Sequence, residues 1–204
     1  MVREQIESRG ITNARVLAAM GKVPRHEFVP EDLADAAYED HPLPIGYHQT
    51  ISQPYIVALM TELLQLQPGA KVLEVGTGSG YQAAILAEVG AQVCSLEILE
   101  PLARTSAETL RRLGYTGVQV KRGDGYLGWP EHAPYDAIVV TAAAEHVPPP
   151  LVEQLKPGGR LVIPVGNEQG RQSLLVVEKS GDGSVTTHDV APVVFVPLTR
   201  ENHE

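Results

Sequence analysis

The 204-residue chain is poor in cysteine, in aromatic residues and in long apolar runs. Cys94 is the only cysteine, so no internal disulfide can form, and a reducing compartment fits. No run approaches the roughly 18 apolar residues of a membrane span. The chain begins MVREQIESRG, which is charged and typical of a helix rather than of a signal peptide. We therefore expect a cytoplasmic protein with no membrane partner.

Positive charge is also scarce. Sixteen basic residues stand against 25 acidic ones, and the formal net charge is −9. Such a surface has no field that would attract DNA or RNA, so we expect no nucleic-acid partner. The chain has seven histidines, and they form neither an H-x-x-x-H pair nor a Cys/His cluster, so we predict no metal site. They are His26, His41, His48, His132, His146, His188 and His203.

The order of predicted elements is more informative. Residues 1–68 have helical and loop-like patterns, and Pro68-Gly69 breaks the chain before 69–204, with which they form one compact unit. The second part alternates strands with helices, which predicts an α/β fold with a doubly wound, mostly parallel sheet and an antiparallel C-terminal strand. The predicted strands are 71–75, 91–97, 117–123, 135–143, 160–166 and a hairpin within 173–198; the predicted helices are 81–90, 101–114 and 149–159.

A glycine-rich turn, GTGSG, follows the first of these strands. Glycines there let the backbone turn tightly and approach a ligand closely. The pattern is G-x-G-x-G, and Tyr81 occupies the third glycine site of a nicotinamide fingerprint. Glu97 ends the second strand, where a carboxylate can accept hydrogen bonds from both hydroxyls of a ribose. Strand, turn, helix, strand and acid together predict a nucleoside-binding half-site.

Asp124 follows the third strand within GDG. It either stabilises a turn or accepts a hydrogen bond from an exocyclic amine such as that of adenine. S-adenosylmethionine has a ribose and an adenine but no phosphate, and backbone N–H groups of the turn can hold its carboxylate. A methyltransferase for another acceptor, a nicotinamide-dependent oxidoreductase and a non-catalytic binding module remain open at this point.

Four segments carry a resemblance to a known family: PLPIGYHQTISQPYIVALMTELL, VLEVGTGSGYQAAILA, GDGYLGWPEHAPYDAIVVTAAA and LVEQLKPGGRLVIPVG. Across about 25–197 the chain resembles the protein-L-isoaspartate O-methyltransferase family. His48 departs from the pattern, which has glycine or another small residue just before QTIS. The resemblance implies a Rossmann-like methyltransferase sheet over 69–204, with N-terminal helices and a substrate loop in 1–68.

The resemblance also implies the reaction. S-adenosylmethionine would methylate the free carboxylate of L-isoaspartyl residues in damaged proteins and peptides, and activity on D-aspartyl residues is left open. We also expect the protein to be a monomer. Ser52 would be the active-site hydroxyl, with Ile51, Ser52, Val196 and Pro197 contacting the substrate. The cofactor would be held by Gly76, Thr77, Gly78, Ser79, Gly80, Glu97, Ile98, Asp124, Gly125, Thr50 and Gln53.

Ser52 has two further interpretations that the residues themselves raise. A Ser nucleophile is disfavoured, because no G-x-S-x-G elbow surrounds it and a carboxylate acceptor needs no general base. Ser52 also precedes Gln53-Pro54 and an apolar helical run, so it can be an N-cap that accepts from the N–H of Tyr55. Capping the helix is compatible with a second role, and the hypothesis is that Ser52 positions the substrate carboxylate or closes the loop.

Overall fold

A computed structural model of the chain describes residues 1–167 and 170–201. Its α-helices are α1 (Ala14–Lys22), α2 (Pro54–Leu63), α3 (Tyr81–Glu88), α4 (Glu100–Arg112) and α5 (Pro149–Glu153). Its strands are β1 (Leu43–Gly46), β2 (Gln49–Ile51), β3 (Lys71–Val75), β4 (Gln92–Glu97), β5 (Gln119–Arg122), β6 (Tyr135–Val140), β7 (Leu155–Val165), β8 (Gln172–Lys179) and β9 (Val185–Val193).

Seven strands form the main sheet in the order β5-β4-β3-β6-β7-β8-β9. The strands from β5 to β7 pair in parallel, and β8 is antiparallel to both β7 and β9. The predicted fold is confirmed. The strand order reverses between β3 and β6, and ligands of such sheets bind beyond the carboxyl ends of strands at that point.

The central strands are buried on both faces, as helices covering both sides of a parallel sheet require. Val72 belongs to a hydrophobic cluster with residues of α1, α2 and α3, whereas Leu73 belongs to a cluster with Trp129 and Leu151. Cys94 lies in this second cluster with 3% of its surface exposed, which confirms a buried strand thiol. The division of the chain at residue 68 stays a prediction, since α1 and α2 share the first cluster with the sheet.

A hairpin in the N-terminal part was not predicted from the sequence. β1 and β2 pair antiparallel, with Leu43 opposite Ile51, and are joined by Tyr47 and His48. Both joining residues have positive φ, 53° and 58°, as a tight hairpin turn requires. This is why a glycine would suit position 48, and His48 takes up the left-handed conformation instead. The hairpin lies over the glycine turn, because a Cβ built on Gly78 would be 3.4 Å from Ile45 Cδ1.

Candidate active site

A cleft opens at the carboxyl ends of β3, β4 and β6, where the strand order reverses. The hairpin covers it on one side, and the segment after β9 closes another side. The cleft brings together most of the residues predicted for the site. Those that line it are Thr50, Ile51, Ser52, Gly76, Thr77, Gly78, Ser79, Glu97, Ile98, Gly125, Val196 and Pro197.

Three predicted residues do not line this cleft. Gly80 begins α3 with φ +90°, and a Cβ there would meet Leu110 at 3.3 Å, so it allows α3 and α4 to pack closely. Gln53 lies in an adjoining groove. Asp124 is buried behind Gly125, with 6% of its surface exposed.

The glycine turn is held by bonds within the chain. The N–H groups of Gly76 and Thr77 donate to the Leu96 carbonyl at 2.8 and 3.1 Å. The Thr141 hydroxyl donates to the Gly76 carbonyl at 2.6 Å, and a Cβ on Gly76 would lie 2.5 Å from that hydroxyl oxygen. Thr141, just after β6, therefore supports the turn, a role that no sequence motif indicates.

Glu97 is both a support and a candidate ligand. Its two carboxylate oxygens accept from the N–H groups of Gly78 and Leu99 at 2.8 and 3.0 Å. Each oxygen keeps a further lone pair, so the carboxylate can still accept from a ribose diol. Gly76, Thr77 and Gly78 use their N–H groups within the chain, and the Tyr81 N–H donates to Ser79 Oγ at 3.2 Å. The backbone donors left for a ligand carboxylate are therefore the N–H groups of Ser79, Gln82 and Ala83.

Asp124 carries an acceptor that fits an amine. Its Oδ1 accepts from the Tyr126 N–H at 2.9 Å, so the turn interpretation is correct for that oxygen. Its Oδ2 is buried and makes no hydrogen bond among the described residues, but it forms an ion pair with Arg200, whose Nε lies 3.5 Å away. The ion pair offsets part of the cost of burying this oxygen, and a hydrogen-bond donor is still missing. An exocyclic amine of adenine would supply that donor, so the site fits S-adenosylmethionine.

A buried hydroxyl chain lies under the turn. Thr77 Oγ1 and Ser95 Oγ are 2.6 Å apart, and the Ser95 hydroxyl also bonds Glu74 on the neighbouring strand. Glu74 is fully buried, and burial raises the pKa of its carboxyl from 4.5 to about 8. The nearby charge of Glu97 acts in the same direction, and the Ser95 hydrogen bond opposes it. At pH 7 most of the Glu74 carboxyl is therefore protonated and neutral.

The expectation that Ser52 caps α2 is wrong. The residue before the helix is Gln53, which makes no side-chain capping bond, and the Tyr55 N–H donates to Asp40 Oδ1 at 3.3 Å. A carboxylate from an earlier part of the chain occupies the place where a Ser52 hydroxyl would bond. The Ser52 hydroxyl has no hydrogen-bond partner among the described residues, and Ser52 lines both the cleft and the adjoining groove.

Within residues 1–167 and 170–201, no three His, Cys, Asp or Glu side chains gather as a metal site would require. His203 lies outside these residues, and the absence of a metal stays a prediction. In the same ranges, no helix has the length and apolar character needed to cross a membrane.

The fold and the site define an S-adenosylmethionine-dependent methyltransferase of the Rossmann-like class. A solved Plasmodium falciparum protein, described as a putative protein-L-isoaspartate O-methyltransferase in complex with S-adenosyl-L-homocysteine, superposes with a TM-score of 0.81. It is 27% identical, and the match covers 97% of this chain and 96% of that one. Another solved protein-L-isoaspartate O-methyltransferase gives a TM-score of 0.86 at 31% identity, with 97% of this chain and 65% of that one covered.

Sequence comparison assigns the family. The profile of protein-L-isoaspartate(D-aspartate) O-methyltransferases matches residues 1–203. Protein-L-isoaspartate O-methyltransferase 2 of Polaromonas sp. is 60% identical over 98% of this chain and 96% of its own length. The Gloeobacter violaceus enzyme of that family is 57% identical over 98% of both chains. The chain belongs to the protein-L-isoaspartate(D-aspartate) O-methyltransferase family.

The predictions of family, fold, reaction and cofactor are thus confirmed. The oxidoreductase and the non-catalytic module, which the glycine turn alone left open, are rejected. The individual site residues are not tested by these matches, so their roles are proposals.

Proposed function

We propose that Ser52 holds the isoaspartyl carboxylate of the substrate beside the cofactor cleft. The observation that carries this proposal is the position of Ser52: it lines both the cleft and the adjoining groove, and its hydroxyl is free of bonds within the described chain. A free hydroxyl at such a junction can donate to a carboxylate without first breaking an internal bond.

The cofactor would be held by the residues that line the cleft, with Asp124 behind them. Glu97 would accept from the ribose hydroxyls, and Asp124 Oδ2 would accept from the adenine amine. Gly76, Thr77, Gly78 and Ser79 would form the surface against the amino-acid part. The neighbouring positions Ile98, Gly125 and Thr50 would complete the walls. Gln53, predicted with this group, belongs instead to the groove side.

The groove would take the peptide on either side of the isoaspartyl residue. The segment after β9 forms one wall of the groove, and hydrogen bonds hold its backbone in place. The Phe195 N–H donates to Gln172 Oε1 at 2.7 Å, and the Ala143 N–H donates to the Val196 carbonyl at 2.8 Å. Val196 and Pro197 would face the substrate backbone, with Ile51 across the cleft. The proposed partners are therefore proteins and peptides in an extended conformation around the damaged residue.

Methyl transfer requires alignment of the carboxylate oxygen with the methyl group and the sulfonium, and it requires no general acid or base. S-adenosylmethionine supplies an electrophilic methyl group on a sulfonium that is already a good leaving group. The substrate carboxylate is ionised at neutral pH and needs no base. The chain's contribution is to orient the carboxylate, which can be worth up to roughly 7–11 kcal/mol in favourable cases, and to exclude water.

Ser52→Ala tests the assignment. The variant should lose kcat by roughly 10²-fold, because a misplaced carboxylate reacts poorly, while the Kd for S-adenosylhomocysteine stays within about twofold. Thermal stability should change little, since Ser52 does not cap α2. Ser52→Thr, which keeps a hydroxyl, is the matched control and should retain more activity than the alanine variant. Equal kcat in Ser52→Ala and the wild type would refute the role.

We also propose a cytoplasmic monomer. Cys94 supports the compartment, since a single thiol that is 3% exposed in β4 is suited to a reducing environment. Size-exclusion chromatography coupled to light scattering measures the oligomeric state. A mass near 22.0 kDa is expected, and twice that value would contradict the monomer.

A further inference from the structure

Asp40, just before β1, joins three segments that surround Ser52. Its Oδ2 accepts from Gln53 Nε2 at 2.8 Å and from Arg9 Nη1 at 2.7 Å. Its Oδ1 accepts from the Tyr55 N–H at 3.3 Å. The Asp40 side chain is 25% exposed, so it is partly sheltered from water. The Asp40 carboxylate thus accepts hydrogen bonds from the Arg9 side chain, from the Gln53 side chain and from the first turn of α2.

The cap on α2 is supplied from outside the helix. α2 begins at Pro54, which has no N–H, so Tyr55 carries the first backbone donor of the helix. Gln53 does not cap it, and Asp40 accepts from Tyr55 across 15 positions of the chain. A carboxylate is favoured at a helix N-terminus, where the backbone dipoles leave partial positive charge.

The same carboxylate restrains the residue next to Ser52. Gln53 follows Ser52 directly, and its amide nitrogen is bound to Asp40. On the other side, Ile51 is paired with Leu43 in the hairpin. The Arg9 guanidinium also stacks on Tyr55, with its carbon 3.5 Å from the ring centroid. Ser52 is therefore held between the hairpin and the Asp40 contacts.

We propose that Asp40 is a positioning residue for methyl transfer: by capping α2 and binding Gln53, it fixes the backbone that presents Ser52 to the substrate. Arg9 supports the carboxylate from the outer side. This inference rests on the proposed role of Ser52, and it assigns to Asp40 the capping task that the sequence suggested for Ser52 itself.

Asp40→Asn tests the proposal with almost no change in shape. An asparagine has one acceptor oxygen in place of two, and its NH₂ group would face N–H donors of Arg9, Gln53 or Tyr55. For an isoaspartyl peptide, kcat should fall, as in Ser52→Ala, and KM should rise, so that kcat/KM drops at least about tenfold, because the backbone that presents Ser52 loses hydrogen bonds to a charged acceptor. The Kd for S-adenosylhomocysteine should stay within about twofold, and amide exchange at Tyr55 should become faster.

Asp32→Asn is the matched control. Asp32 is an exposed acid of the same N-terminal part, and its side chain makes no hydrogen bond or ion pair among the described residues. The Asp32→Asn variant loses the same charge as Asp40→Asn, and its methylation kinetics and its amide exchange at Tyr55 should match those of the wild type. A second variant, Asp40→Asn combined with Gln53→Ala, should lose less than the sum of the two single changes if Asp40 acts through Gln53.

Three outcomes would overturn the proposal. One is an Asp40→Asn enzyme with wild-type kinetics and Tyr55 exchange. Another is lost activity with unchanged KM and a matching loss of S-adenosylhomocysteine-binding sites, which would mean that the residue only supports folding. The third is lost activity without faster exchange. A Ser52→Ala enzyme with the kcat of the wild type would refute the proposed function of Ser52, while faster exchange in Asp40→Asn would still support the restraint on the loop.

Discussion

Glu74 should make the stability of the folded chain fall as pH rises, and Glu74→Gln should abolish that fall. The pKa of the buried carboxyl is raised from 4.5 to about 8 by burial. In the unfolded chain it ionises near 4.5, whereas in the folded chain it keeps its proton until about pH 8. Between these values the folded state holds one proton more than the unfolded state, so the free energy of unfolding declines as pH increases.

The magnitude follows from the pKa. Each pH unit in this window costs about 1.4 kcal/mol, so roughly 4 kcal/mol is lost between pH 5 and pH 8. The stability is fully present below pH 4.5, and its loss levels off as the pH rises through about 8, where the folded-state carboxyl gives up its proton. Glutamine is neutral at every pH and can still hydrogen-bond the Ser95 hydroxyl. The free energy of unfolding of Glu74→Gln should therefore exceed that of the wild type by an amount that increases with pH.

Urea unfolding at pH 5, 6, 7, 8 and 9 measures the effect. Glu108→Gln is the control, because Glu108 is an exposed glutamate on α4 that undergoes the same chemical change. The free energy of unfolding of this variant should change with pH in the same way as that of the wild type. If the free energies of unfolding of Glu74→Gln and the wild type changed with pH in parallel, Glu74 would be ionised in the folded protein. That result would refute a protonated carboxyl at the end of the buried hydroxyl chain.

Two further predictions concern the cofactor cleft. Gly76→Ala should weaken S-adenosylhomocysteine binding by at least about tenfold in calorimetry, because the new Cβ would displace Thr141 and the backbone would carry about 1–3 kcal/mol of strain. Gly10→Ala, at φ +97° with open space around it, isolates the strain alone and should leave binding unchanged. Asp124→Ala should also weaken binding at least about tenfold, since it removes a buried acceptor. Undiminished affinity in either cleft variant would contradict its assignment.

The sheet could be predicted because its strands repeat simple patterns. Short apolar runs such as KVLEV are buried on both faces, and a parallel sheet between helices demands that composition. Boundaries failed where a strand contains residues that usually break one. β7 begins at Leu155, five positions before the predicted start, because Leu155 already pairs with Tyr135 of β6; Pro157, Gly158 and Gly159 lie in the irregular stretch between that pair and the Ala137–Arg160 pair.

The parts of the site that could not be predicted depend on contacts between distant segments. The β1–β2 hairpin is too short for an alternating pattern and contains Pro44, so its residues indicated a loop. The cap on α2 comes from Asp40, which no local motif connects to Tyr55. Gly80 was grouped with the cofactor glycines, and only the packing of α3 on α4 separates it from them.

The most direct test of the central claim is transfer of labelled methyl from S-adenosylmethionine to a peptide that contains isoaspartate, beside the identical peptide with normal aspartate. We predict base-labile label on the isoaspartyl peptide and none on the aspartyl peptide. Equal label on both peptides, or no label on either while S-adenosylhomocysteine still binds, would contradict this prediction.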